Sequence, residues 1–457
     1  MRSTALVLVM AIACGNDHAA PPSPDAPNKM IDASTVDAAN PLEPPTLFGT
    51  GLCVDEPCTM IASDVQQYAP EDPEYVLWAD FAVKQRWIYL PPGTQIDTSD
   101  PNHWVFPTGT KIWKEFDLPA SGSDGPPYVR VETRYIVKVG SDESGTGSAT
   151  PWFYVSYQWD SMAGGDLLGS STIAVPDGVA DANGTDHNIP SRTQCKSCHE
   201  DMVPGRVLGF SALALDFQQT GSGLIDLDDA IQMGWLTVPP AGSASPHYPF
   251  PADATGSDIL ALKYAHMNCG ECHNPTSPVD LQVSVLFRID ATTLGSGVAQ
   301  TSLFKSTIGQ TGGQILDGSD AHGNCAGITD PSGGGAPLFG CTDLVVGPWQ
   351  ASHMYNFNDR VVAGGNTYLC STKGTQVGTV FPCGTSAATG PGPTGTGSGT
   401  ITDGTATWVY IGAPSTRSLL IYRYETTNVG KHMPPAGENL TDPSGDAIFN
   451  AWLNALP

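Results

Sequence analysis

Two short strings constrain this chain more than anything else in it: Cys195-Lys196-Ser197-Cys198-His199 and Cys269-Gly270-Glu271-Cys272-His273. In each, two thiols stand one helical turn apart and an imidazole follows at once. That spacing lets the thiols add across the two vinyl groups of a haem, with the next residue's ring beneath the iron. The pair therefore implies two covalently bound haem c groups, held by Cys195, Cys198, Cys269 and Cys272, with His199 and His273 as iron ligands. A redox-active dithiol and a zinc site of four cysteines and two histidines are the competing readings. Zinc takes four ligands rather than six, and two such strings in one chain are hard to assign to chance.

The cysteine count is odd, 11, and the N-terminus offers a reason. Arg2 precedes an apolar run, Ala5 to Ile12, that is too short to span a bilayer but has the order of a secretory signal. It ends Ala11-Ile12-Ala13-Cys14, the pattern of a bacterial lipoprotein cleavage site, so 1–13 reads as a signal peptide and Cys14 as the lipid anchor. An ordinary signal peptide cut nearby is the alternative. Residues 14–46, rich in Ala, Pro, Asp and Asn, read as a flexible tether. The expected location is the cell envelope, periplasmic or at the outer-membrane surface, with the membrane reached through the lipid. Once the anchor and the four haem thiols are set aside, six cysteines remain. Proximity favours the disulfides Cys53–Cys58, Cys325–Cys341 and Cys370–Cys383, which suits an oxidising compartment.

Charge narrows the partners. Lys and Arg number 20 against 46 Asp and Glu, a formal charge of −26. Nucleic acid is excluded as a partner by that imbalance, and a redox partner protein is expected to dock through a basic face.

Periodicity sets the expected architecture. Val129, Val131, Thr133, Tyr135, Val137 and Val139 alternate with Arg130, Glu132, Arg134 and Lys138, the pattern of a half-buried antiparallel strand. Neighbouring aromatic-rich runs at 82–90, 111–116 and 152–159 extend this to a β-sandwich over 47–188. Its tryptophans, Trp78, Trp87, Trp104, Trp113, Trp152 and Trp159, are expected in the core. Ile259, Leu262, His266 and Cys269 fall at helical spacing, so a helix is expected to deliver the second string. Ile448, Phe449, Trp452, Leu453 and Leu456 mark a terminal helix. The expected fold class is α+β and multidomain: an antiparallel β-sandwich, then a mainly helical dihaem cytochrome c region at 189–311 that continues at 413–457. An insert at 312–412 holds a small β-module at 349–408.

For the far side of each iron, Met433 in Lys431-His432-Met433-Pro434-Pro435 is the candidate at the second haem, with His432 as substitute. The prolines hold that loop extended. The first haem has several candidates, Met202, Met233, His187, His247 and His266, of which Met233 lies on an apolar stripe and reads as core. His266 serves either iron or neither. Isolated histidines argue against copper, and no loop has calcium-binding spacing.

The order of motifs resembles an uncharacterised family of exported bacterial dihaem c-type cytochromes. The strings that carry it are Lys84-Gln85-Arg86-Trp87-Ile88 with Leu90-Pro91; Trp104 to Thr110 with Lys114 and Phe116; Glu132-Thr133-Arg134; and Pro190 to Cys195. Later come His266-Met267-Asn268-Cys269, Ser418-Leu419-Leu420 with Arg423, and Met433-Pro434-Pro435. The likeness covers about 70–310 and 413–457. It implies a redox role, His199 and His273 as proximal ligands, and Met433 as the second haem's distal one. The insert departs from the family; Trp349 to Trp408 resembles β-modules of phage tail proteins and secreted hydrolases, which implies a glycan partner or a merely decorative insert. Electron transfer between redox partners is the expected function, without catalytic residues. A dihaem peroxidase-like enzyme with one open haem and a polysaccharide-binding surface redox protein are the alternatives.

Overall fold

The computed structural model describes residues 42–56, 58–68, 77–140, 151–160, 172–201, 207–217, 223–242, 245–251, 256–277, 285–308, 328–329, 337–338, 346–357, 359–377, 381–412, 420, 424 and 440–455. Cys14, Met202, Cys325, Cys341, His432 and Met433 lie outside these residues, as do the signal, the tether up to residue 41 and the expected Cys325–Cys341 disulfide.

The alternating runs form one six-stranded antiparallel meander, β1 (Gln66–Gln67), β2 (Val83–Tyr89), β3 (Lys111–Pro119), β4 (Tyr128–Lys138), β5 (Trp152–Trp159) and β6 (Thr172–Ala174), paired in chain order. One face sets Trp87, Trp113, Tyr135, Val155 and Tyr157 against Leu47, Leu52 and Val65 of the segment that precedes the sheet. The Cys53–Cys58 disulfide closes a loop in that cover. The opposite face sets Ile88, Ile112, Trp152 and Tyr154 against Val207, Phe210, Leu215, Ile225, Leu227 and Leu236.

The expected fold class therefore needs correction on two counts. Among the described residues no second sheet faces the meander: its two covers are loop and short helix, so the expected β-sandwich is a single covered sheet. The region with both Cys-x-x-Cys-His strings is not mainly helical, and the protein is β-rich. Helices α1 (Arg192–Lys196), α2 (Ala212–Leu215), α3 (Leu227–Gln232) and α5 (Ser302–Thr307) are only four to six residues long. Helices this short hold through tertiary packing rather than through their own propensity. Only α4 (Ser257–Asn268) and α6 (Pro443–Ala455) exceed ten residues among those described. A composition of 51 glycines and 39 prolines limits helix length, because both residues end helices.

The two long helices are those that apolar spacing marks. Leu262 and Ala265 of α4 share a core with Phe449, Trp452 and Leu453 of α6. Gly445 sits where a Cβ would collide with the hydroxyls of Tyr264 and Tyr424. Those hydroxyls meet each other at 2.6 Å, and Tyr264 also donates to Asp442 Oδ2 at 2.9 Å. Tyr248 packs against both the sheet core and this helical core, joining the two.

Further on, β7 (Ile328–Thr329) pairs with β8 (Pro337–Leu338). In the insert, β9 (Met354–Asn356), β10 (Arg360–Ala363), β11 (Asn366–Cys370), β12 (Pro382–Thr385), β13 (Thr400–Asp403) and β14 (Ala406–Gly412) form a β-module. Its sheet runs β10-β11-β14-β13, with β9 and β12 paired beside it. The Cys370–Cys383 disulfide ties β11 to β12, at a Cα–Cα distance of 6.1 Å. Tyr355, Tyr368 and Trp408 are buried in the module's own core, so these aromatics are not a surface platform.

Candidate functional site

Each Cys-x-x-Cys-His string is positioned by a helix on one side and an aromatic ring on the other. At the first, Ser191 caps α1: its hydroxyl accepts from Gln194 N at 3.3 Å, and the Gln194 side chain accepts from Ser191 N at 2.8 Å. This reciprocal capping box explains why Ser191 and Gln194 bracket the helix start. Arg192 then straps the helix to β5. Its Nε donates to Tyr154 O at 2.8 Å, its guanidinium lies 4.6 Å from the Phe153 ring centroid, and it pairs with Glu43 at 2.7 Å. Cys195 packs against the sheet core, and from Ser197 to Asp201 the helix widens into a π-turn. The His199 ring lies 5.3 Å from that of Tyr154, which fixes its place over β5.

The second string follows α4 directly. Cys269 N and Gly270 N both donate to Ala265 O at 2.9 Å, and His273 N donates to Cys269 O at 2.9 Å. The chain then returns, and Phe287 N and Arg288 N donate to His273 O at 2.9 and 3.2 Å. Gly270 is the only residue that fits its position without displacing backbone, because a Cβ there would run into His266 O and Arg288 Cα. Arg288 pairs with Glu271 at 3.1 Å and donates to Asn102 O at 2.9 Å, joining this string to the sheet's loops. The His273 ring meets Phe287 edge to face at 5.1 Å. Burial lowers the His273 pKa, with the Val285 backbone opposing, and so favours the neutral imidazole that can bind a metal.

The thiols separate cleanly by state. Cys195, Cys198, Cys269 and Cys272 stand outside any disulfide, whereas the Cys53–Cys58 and Cys370–Cys383 pairs are joined. Burial pushes the Cys195 thiol up to about 11, against the pull of Arg134. A redox dithiol needs the opposite, a thiolate stabilised near neutral pH. A zinc centre needs side chains converging on one point, and no group of three or more His, Cys, Asp or Glu does so among the described residues. The arrangement fits tethering of a large planar group at two separate places.

The candidate distal ligands fare differently. His187 is fully buried, its Nε2 lies 2.7 Å from Glu132 Oε1 and its ring stacks on Phe116. His247 Nε2 lies 2.8 Å from Asp228 Oδ1. Met233, expected in the core, is instead 48% exposed at the end of α3, where the apolar stripe has run past the packed face. His266 accepts the Ile289 N–H on Nδ1 at 3.0 Å. In the neutral ring this puts the proton on Nε2, so neither nitrogen offers iron a lone pair in that arrangement. His266 thus anchors the segment that returns over the second string.

A cluster behind the first string escapes detection by spacing. Glu132 Oε1 accepts from Arg134 Nε at 2.9 Å and from its terminal amino group at 2.5 Å, and also faces His187. Burial alone would raise the Glu132 pKa, but Arg134 and His187 overcome it and hold the carboxyl at about 2. The Arg134 guanidinium lies 4.2 Å from the Phe116 ring centroid and within electrostatic reach of Cys195 and Cys198. Its only trace in the sequence is a Glu and an Arg two apart on one strand.

Comparison of the chain with family models, with curated proteins and with solved structures finds no match.

Proposed function

We propose that this protein is a two-haem c-type cytochrome that passes electrons between redox partners at the bacterial cell envelope. The observation that carries the reading is the equivalent presentation of the two strings: thiols outside any disulfide, a helix leading in, and an imidazole set against an aromatic ring. In this reading Cys195 and Cys198 tether one haem, Cys269 and Cys272 the other, and His199 and His273 supply the proximal nitrogens. Each haem iron, when bound, takes up or releases one electron by cycling between its ferric and ferrous forms.

The rest is done by the chain. Tyr154 and Phe287 restrict the two imidazole rings, and burial keeps His273 neutral. Partly buried surroundings exclude water, which favours the less charged ferrous state. Met433 is proposed as the sixth ligand of the second haem, and Cys14 as the lipid anchor. The net charge of −26 points to a basic docking face on the partner, with association weakening as salt rises.

A pyridine haemochrome spectrum of the purified protein tests the central claim. Two c-type haems per chain are expected, and a spectrum without them overturns the reading. Low-spin, six-coordinate spectra at both irons without peroxide turnover are expected of a carrier; a high-spin iron with peroxide turnover would make the protein a peroxidase-like enzyme instead.

A further inference from the structure

We propose that residues 48–61, in the cover of the sheet, are a docking face for a zwitterionic phospholipid surface, an inference that rests on the reading of Cys14 as a lipid anchor. Eleven large apolar side chains are exposed among the described residues, and four of them, Phe48, Val54, Met60 and Ile61, fall in this one stretch. Single exposed apolar residues need no explanation, but a group does. This group is built into a hairpin. Val54 N donates to Met60 O at 3.0 Å, Ala62 N donates to Leu52 O at 2.8 Å, and Cys53 bridges to Ile61. Val54 and Met60 therefore stand opposite each other on one face of the hairpin, 54% and 58% exposed, while Cys53 is buried in the core beneath. The Cys53–Cys58 disulfide clips the tip, and Asp55 Oδ1 accepts from Thr59 N and Met60 N at 2.9 Å each. The apolar pair is thus held in place before any contact is made, which lowers the ordering cost of binding.

The place where the chain leaves the fold identifies the occupant. Glu43 pairs with Arg192, Pro44 O accepts from the Tyr157 hydroxyl, and Pro45 O accepts from Ala174 N, so the chain is fixed to the sheet from Glu43 onward. Pro44 also lies against the 3₁₀ turn Leu47–Thr50 that carries Phe48, since a Cβ on Gly49 would collide with Pro44 Cβ. A lipid on Cys14 is therefore joined to the protein beside the apolar group, across 42 − 14 = 28 residues, at most ~100 Å of chain. Tethering makes contact with the bilayer intramolecular, so a small apolar face suffices. Residues 42–66 hold Glu43, Asp55, Glu56 and Asp64 but no Lys or Arg, which suits a zwitterionic surface and opposes an anionic one. Docked this way, the sheet turns its other face, against which Cys195 packs and His199 meets Tyr154, away from the bilayer and toward a soluble partner.

Photolabelling of the full-length lipidated protein tests this, on vesicles of phosphatidylethanolamine and phosphatidylcholine that carry a diazirine-bearing phosphatidylcholine, with labelled peptides mapped by mass spectrometry. Labels within 48–61 are expected. They should be lost when Val54→Ser and Met60→Ser are combined in a chain that keeps its lipid, and should fall as phosphatidylglycerol replaces the zwitterionic lipids. Labelling confined to other segments would overturn the docking face while leaving the anchor intact. Labelling that rises with phosphatidylglycerol would overturn the assignment to a zwitterionic surface. Crosslinks between copies through 48–61, without lipid label there, would make the face a self-association site instead. An intact mass without acyl chains on Cys14 would overturn both the anchor and the docking face. If the double variant fails to fold, the label map of the unmutated protein decides on its own.

Discussion

Glu132→Gln perturbs the buried charge cluster at its centre, and the expected cost follows from the electrostatics already described. The Glu132 side chain is fully buried, and Arg134 and His187 hold its pKa at about 2 instead of 4.5. At about 1.4 kcal/mol per tenfold change in proton affinity, the ionised carboxylate contributes about 3 kcal/mol to folding. A depressed carboxyl stabilises above its unfolded pKa, and that contribution drains away as pH falls from 4.5 toward about 2. Glutamine keeps the size and one acceptor but not the charge, so the variant is expected to be less stable by about 3 kcal/mol near pH 7. The gap between the two proteins should close as pH falls through that window. Urea unfolding followed by intrinsic fluorescence, run on both proteins across this range, measures the gap, and the difference cancels the other 45 carboxylates, which both share. A gap of the same size at both ends would refute the argument, because it would mean that glutamine disturbs packing rather than removing a paired charge.

Three further substitutions probe the framework. Gly445→Ala drives a methyl into the Tyr264 and Tyr424 hydroxyls where α6 crosses α4 and is expected to cost about 1–3 kcal/mol, read as a lower melting temperature. Adding Tyr264→Phe should recover part of that loss. Gly270→Ala forces apart His266 O and Arg288 Cα inside the second string, so the purified variant is expected to carry one c-type haem instead of two by pyridine haemochrome. Replacing Cys370 and Cys383 together by serine opens a loop of sequence separation 13 and is expected to remove about 3 kcal/mol from the inserted module. Limited proteolysis should then cut within 349–412 while the haem content stays unchanged.

What sequence patterns could and could not reveal here follows from distance along the chain. The Cys-x-x-Cys-His spacing, the helix that runs into Cys269 and the terminal helix are local regularities, each written within a dozen residues or so. The aromatic alternation located β2 to β5 for the same reason. What alternation cannot say is whether a polar stripe faces water. Alternation puts Glu132 and Lys138 on the solvent side of a half-buried strand, yet they are 0% and 2% exposed. The second cover of the sheet, built from Val207, Phe210 and Leu236, arrives from about a hundred residues away. That cover is also why a sandwich was the wrong inference: two buried faces suggest a partner sheet only when the cover is itself strand-like. A charged residue under such a cover must be paired. Lys138 donates to Phe106 O at 2.6 Å, and Glu132 takes Arg134 and His187. Glu132 and Arg134 of one strand, joined by a histidine 55 residues further along the chain and lying within electrostatic reach of two thiols that only the tertiary fold delivers, are what no linear motif spells out.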